Sequence, residues 1–357
     1  MAVMRLVAVL GLAMLAASFL MKGGGPAPGE GRWRGRALGV CFEGSPRPIQ
    51  ASDVEPLAAL GTNAISQTPF AWMKDPHAPA LGWETDGRGW WGERAEGVRF
   101  LAGEARARGI GTLLKPHVWL HGSWPGEVEM RSEEDWRTWF AGYRAFLLDW
   151  ARFAAAEKIE GLCIGTELDR TLVRADDWRA LIREVKAVYG GLLTYAANWT
   201  HFEEVPFWDE LDAIGVNAYF PLTQAPRPSV DELVRAWEPL AARLAALAKR
   251  HARPIVFTEI GYHPIEGAFA RPWEWGVGEA PFDPLSQANG YEAVARVFYG
   301  EPWFGGVFWW KWSANAARAR GQGGEERPGR ARTATFSPRG LPAEDVLRRT
   351  FQVARGS

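Results

Sequence analysis

Short apolar runs recur along the chain, and most are followed by a longer stretch with helical spacing. The runs are ALGVCF (37–42), TNAISQTPF (62–70), GIGTLLKPHVWL (109–120), IEGLCIGTEL (159–168), LLTYAANW (192–199), LDAIGVNAYF (211–220), RPIVFTEIGY (253–262) and FGGVFWWKW (304–312). They have strand length, so eight strands are expected. Helical spacing predicts helices over 54–60, 97–108, 133–157, 175–189, 230–251, 286–299 and 341–351. The segment from Ala175 opens on Asp176 and Asp177, which suit the positive end of a helix dipole. The link between the fifth and sixth runs leaves room for at most one helical turn. Near-continuous apolar strands belong in a parallel sheet covered by helices. Eight strand–helix units close a ring, so the expected fold is α/β, a single (β/α)8 TIM barrel over 37–357. No second domain and no internal repeat is evident.

The first residues follow a different pattern. Arg5 precedes an apolar run from Leu6 to Met21, and a Gly/Pro-rich stretch follows. A membrane-spanning helix needs about 20 apolar residues, so this run fits a signal peptide better than an anchor. Residues 1–21 are expected to be a signal peptide or signal anchor, and residues 22–36 a flexible linker. Export to the periplasm or the outside follows, with a membrane tether if the segment is retained. The charged, Gly-rich stretch 316–335 is expected to be a mobile surface loop.

Composition narrows the function. A net charge of −1 gives no electrostatic case for nucleic acid. The chain has 20 tryptophans. Some must be core, but so many flat rings with a polar edge also fit a groove that stacks on sugar rings. Cys41 and Cys163 both lie in apolar runs, where free buried thiols are expected rather than a disulfide. His117 and His121 lack a third ligand, so no metal site is expected.

Active sites of such barrels lie at the C-terminal mouth of the strands. The third run ends in Lys115, His117 and Trp119, the fourth in Thr166 and Glu167, the fifth in Asn198, the sixth in Asn217 and Tyr219, the seventh in Glu259, and the eighth in Trp309 and Trp310. Two glutamates on strands four and seven of a barrel can face one another. Glycoside cleavage uses such a pair, one carboxylic acid to protonate the leaving oxygen and one carboxylate to attack or to activate water. Either glutamate alone could equally be a solvated strand end. Lys115, His117 and Trp119 alternate, so all three are expected on one face. A lysine that deep needs a partner, either a sugar hydroxyl or a carboxylate. Glu43 is expected to be a structural or subsite residue. Trp83, Trp90, Trp91 and Trp124 lie in loops after strands two and three, as outer sugar subsites or as surface packing.

As a set, LLKPHVWL, IEGLCIGTELD, YGGLLTYAANW, DAIGVNAYFPL, PIVFTEIGY and GVFWWKW resemble the retaining glycoside hydrolases of clan A, and most closely family 113, whose characterised members are β-1,4-mannanases. The resemblance covers about 37–354. It implies that Glu167 is the general acid/base, that Glu259 is the nucleophile and that Tyr219 hydrogen-bonds the nucleophile. It also implies that Trp309 or Trp310 floors the sugar subsite beside the cleaved bond, with the other packed under a helix. Asn198 and Asn217 are candidates for sugar hydroxyls or for tying backbone together. The chain departs from the clan at Thr166, where most members carry an asparagine that bonds the sugar 2-hydroxyl. That departure bears on the choice of substrate and not on the reaction class. The expected partner is an oligo- or polysaccharide, the expected state a monomer, and no cofactor is required. Two alternatives remain, another β-glycan such as a glucan or amino-sugar polymer, and a non-catalytic carbohydrate-binding barrel of the cell envelope. Carboxyls far apart, or Glu259 locked to an arginine, would favour the last.

Overall fold

The computed structural model describes residues 35–83, 89–275, 280–314 and 335–356. The expected signal segment 1–21, most of the linker and most of the stretch 316–335 lie outside the described residues.

Strands β1 (Ala37–Phe42), β2 (Ala64–Gln67), β5 (Gly111–Leu114), β7 (Gly161–Thr166), β8 (Leu192–Asn198), β9 (Ile214–Asn217), β10 (Ile255–Ile260) and β11 (Phe304–Trp312) form the expected TIM barrel. The barrel is closed and parallel, in the order β1-β11-β10-β9-β8-β7-β5-β2. The strands read as unbroken apolar runs because both of their faces are covered, one by barrel interior and one by helices. Helices α1 (Glu55–Leu60), α2 (Ala95–Arg106), α3 (Glu133–Ala156), α4 (Ala175–Val188), α5 (Val230–His251), α6 (Pro284–Phe298) and α7 (Pro342–Gly356) pack outside. Between β8 and β9 there is only a 3₁₀ turn at Trp208–Glu210, as the short link requires.

Local chemistry sets the helix starts. Ser132 caps α3 by accepting from the Asp135 N–H. Ser229 and Glu232 form a reciprocal capping box at α5, and Asp283 caps α6 through the N–H groups of Leu285 and Ser286. Many tryptophans are core. Trp139 stacks on Tyr143 with centroids 5.0 Å apart, and Trp178 meets Tyr143 edge-on at 5.5 Å. Among the described residues no helix is long and apolar enough to cross a membrane.

The second and third expected strands each break in two. Beyond Gln67 and Leu114 the chain leaves the ring and forms β3 (Phe70–Met73), β4 (Gly82–Trp83) and β6 (His117–Leu120), a separate sheet in the order β4-β3-β6. Pro69 and Pro116 stand at the two breaks, where a residue without an N–H cannot continue a ladder. The small sheet stands as a wall above one side of the barrel mouth.

Candidate active site

The mouth of the barrel opens into a cleft of about 960 Å³. Its floor is polar and its walls are aromatic. Glu259, on β10, is almost wholly buried, at 6% exposure. The Lys115 ammonium donates to its Oε1, and the Tyr219 hydroxyl donates to Oε2 at 3.0 Å. Two donors on two oxygens suit an ionised carboxylate. Its charged partner is thus a lysine on the chain just past β5 and not an arginine. That lysine is fully buried behind the carboxylate, and desolvation, which would lower its pKa, is outweighed by the neighbouring Glu259 charge.

Lys115 therefore does not line the cleft, and the expected alternation through Trp119 fails at Pro116. Lys115 points under the barrel mouth, whereas His117 and Trp119 belong to β6 and face the cleft from the small sheet. The edges of both rings meet Phe70. His117 Nε2 lies 3.7 Å from Glu259 Oε1. Burial, with the Lys115 charge adding to it, holds its pKa well below the ordinary histidine value, so the imidazole is neutral.

Glu167 follows β7 directly, with a left-handed backbone at φ 51°. A non-glycine residue there carries strain of roughly 1 kcal/mol or more. Its N–H bonds Ala196 O at 2.8 Å, which ties it to β8. The carboxyl has three donors. Asn198 Nδ2 and Asn217 Nδ2 reach Oε1 at 3.2 and 3.1 Å, and Trp124 Nε1 reaches Oε2 at 2.7 Å. Burial, followed by the negative charge of Glu259, pushes its pKa up to about 7. The hydrogen bonds oppose that rise without cancelling it. The site therefore holds two unlike carboxyls, one protonated up to neutral pH and one braced by a cation and a phenol.

Asn198 and Asn217 both line the cleft, and each gives one amide N–H bond to Glu167. Asn217 is oriented in turn by Thr258 Oγ1, which donates to its Oδ1 at 2.9 Å. Thr166 lines the cleft beside Glu167. The adjacent tryptophans of β11 divide. Trp310 faces the cleft, with Lys115 Nζ 5.6 Å from its ring centre. Trp309 is buried on the opposite face, stacked on Tyr291 of α6 with centroids 3.6 Å apart. It cannot floor a sugar subsite.

Of the loop tryptophans, Trp90 and Trp124 reach the cleft, whereas Trp91 is buried against Phe100 and Trp83 packs on Phe146. Glu43 lines the cleft, where Lys311 pairs with it at 2.7 Å and Ser313 donates to it. Several wall residues went unremarked in the sequence. Trp273 stacks on Trp199 at 5.2 Å, Trp275 meets Trp310 edge-on at 5.8 Å, and Trp72 and Phe336 complete the wall. The available signal for Trp273 and Trp275 was their place in the loop that follows the Glu259 strand. Cys41 and Cys163 are free and buried. Burial pushes the Cys41 thiol up to about 12, so it is chemically inert.

Sequence comparison decides the family. The model of Glycoside Hydrolase Family 113 matches residues 47–326, more than half of the chain. The chain belongs to Glycoside Hydrolase Family 113. Among solved structures, this family member is similar to a Family 113 β-mannanase from Alicyclobacillus acidocaldarius, in complex with ManMIm. Identity is 27%, 90% of this chain and 98% of that one are covered, and the TM-score is 0.76. A second Family 113 structure, a β-1,4-mannanase, shares the fold at 22% identity over 89% of this chain and 99% of that one, with a TM-score of 0.75. A β-glucuronidase from Faecalibacterium prausnitzii shares the fold alone, at 14% identity and a TM-score of 0.59, over 89% of this chain and 49% of that one. No individually curated protein sequence matches the chain. Family 113 membership makes the protein a glycoside hydrolase, and its fold and carboxyl pair agree with that chemistry.

Proposed function

We propose that the protein hydrolyses β-1,4-linked mannan with retention of anomeric configuration, with Glu167 as acid/base and Glu259 as nucleophile. One observation carries the reading, two carboxyls of opposite character at the ends of β7 and β10 on the floor of one aromatic cleft. In the first step Glu259 attacks the anomeric carbon while Glu167 gives its proton to the glycosidic oxygen. The C–O bond to the leaving sugar breaks, and an ester to Glu259 forms. In the second step Glu167, now ionised, takes a proton from water as that water attacks the same carbon. The ester breaks, Glu259 regains its charge and Glu167 its proton. Lys115 and Tyr219 hold the nucleophile and stabilise the carboxylate as it departs. Trp310 offers a flat face beside the reacting centre, and Trp275 stands against its edge.

Mannan is favoured by the β-mannanase of 27% identity, whose fold this chain shares over nearly its full length. Thr166 before the acid/base is compatible with the axial 2-hydroxyl of mannose. We also infer export of the enzyme, on the Arg5-then-apolar start, which cell fractionation would check.

The test is reducing-end release from β-mannan, glucomannan, cellulose, xylan and chitosan, with wild type beside Glu167→Ala and Glu259→Ala. Cleavage of mannan that both substitutions abolish is expected. Cleavage of another polymer alone would overturn the substrate and keep the mechanism. Glycan binding without cleavage would overturn both.

A further inference from the structure

The strongest unexplained contact in the cleft belongs to a loop. Glu167 Oε2 accepts from Trp124 Nε1, and Trp124 stands in the connection after β6, outside the barrel strands themselves. The ring is more than a third exposed, so burial alone does not fix it. Its support is Gly126, two residues on. A side chain added at Gly126 would run straight into the six-membered ring of Trp124, far inside van der Waals contact. The loop beneath is firmly tied. The Glu129 N–H bonds Pro76 O at 3.0 Å, and His77 Nδ1 lies 2.8 Å from Glu129 O. The 3₁₀ turn Pro125–Glu127 closes through Val128 N–H to Pro125 O at 3.1 Å.

We propose that Gly126 is a positioning residue for the reaction, whose bare backbone seats the Trp124 indole so that its N–H fixes Oε2 of Glu167. The proposal rests on Glu167 being the acid/base. Oε1 already accepts from two amides, which leaves it no place for a proton. The transferable proton therefore sits on Oε2. The indole fills one acceptor direction of that oxygen and leaves the other for the glycosidic oxygen. An ionised carboxylate accepts the indole N–H more strongly than a protonated one does. The contact thus favours the ionised state that the second step needs.

Burial pushes the Glu167 pKa up most, Glu259 from β10 and Asp169 just past β7 add to it, and the Asn217 amide opposes it alongside the indole; His201 sits against Asp169 at 2.7 Å. Tyr219 is neutral and turned to Glu259. Removing the indole donor leaves all of these in place, so only the basic limb of the rate profile should move, and it should move upward.

The experiment measures kcat/KM against pH on β-mannan for wild type, Trp124→Phe, Gly126→Ala and Glu167→Ala, with melting temperatures for each. Trp124→Phe keeps a ring and loses the N–H, whereas Gly126→Ala keeps the N–H and displaces the ring. Both should raise the basic limb by about one pH unit, the scale of one lost hydrogen bond to a charged group. Folded variants with reduced activity and an unmoved limb would overturn the proposal and leave Trp124 as a sugar platform. If Gly126→Ala does not fold, Trp124→Phe decides alone. Glu167→Ala separates the premise from the inference. If it retained wild-type cleavage, the acid/base assignment would fall, and the proposal with it.

Discussion

The raised pKa of Glu167 has a cost in stability that can be measured without any substrate. A carboxyl held at about 7 in the folded chain, against an ordinary 4.5, binds a proton that the unfolded chain has already released. A raised folded-state value contributes stability that is fully present below the unfolded value. That stability is lost as pH rises through the folded value, here between about 4.5 and 7. At ~1.4 kcal/mol per pH unit the full difference is about 3 kcal/mol. Because the side chain is partly open to water in the cleft, about 2 kcal/mol is the expected effect. Glu167→Gln removes the titration. It also turns an amide donor toward Trp124, which costs some stability at every pH. That constant cost cancels when two pH values are compared. Urea unfolding of wild type and Glu167→Gln at pH 4.5 and pH 8 gives the comparison. The variant should gain about 2 kcal/mol on wild type between the two. Parallel behaviour would refute the claim that the folded chain keeps this proton to neutral pH.

Other perturbations should separate roles that the sequence leaves adjacent. Trp309→Ala should cost roughly 3–5 kcal/mol in denaturant unfolding through loss of core, whereas Trp310→Ala should leave stability nearly unchanged and reduce kcat/KM on mannan. Tyr219→Phe removes one donor from the Glu259 carboxylate, and kcat should fall roughly 10- to 100-fold with the melting temperature held. Lys115→Met should destabilise by roughly 3–5 kcal/mol because it strands a buried carboxylate. Adding Glu259→Gln should recover much of that loss, and a double-mutant unfolding cycle reads the coupling.

The barrel was legible because its strands are apolar on both faces and its helices carry clear spacing, from Glu133–Ala156 to Val230–His251. Period alone did not show that the strands after Gln67 and Leu114 leave the ring, although Pro69 and Pro116 mark the places. Strand alternation put Trp309 and Trp310 on opposite faces but gave no sign of which face was the cleft, since both faces of a barrel strand are apolar. The stack on Tyr291 settles that, and it depends on where α6 docks. The bond from Trp124 to Glu167 joins residues 43 apart through a loop, and no local pattern encodes it. Asn198 and Asn217 were visible as polar strand ends, but their shared target was not, because it depends on how β8 and β9 align beside Glu167.

The measurement that tests the central claim most directly is the trapping of the glycosyl-enzyme. A β-mannosyl fluoride carrying fluorine at carbon 2 slows both steps, but slows ester hydrolysis enough for the adduct to accumulate. After digestion, mass spectrometry should find the sugar on the peptide that carries Glu259, and Glu259→Ala should carry none. An adduct on another residue, or active turnover that releases product of inverted configuration with no adduct, would contradict the account.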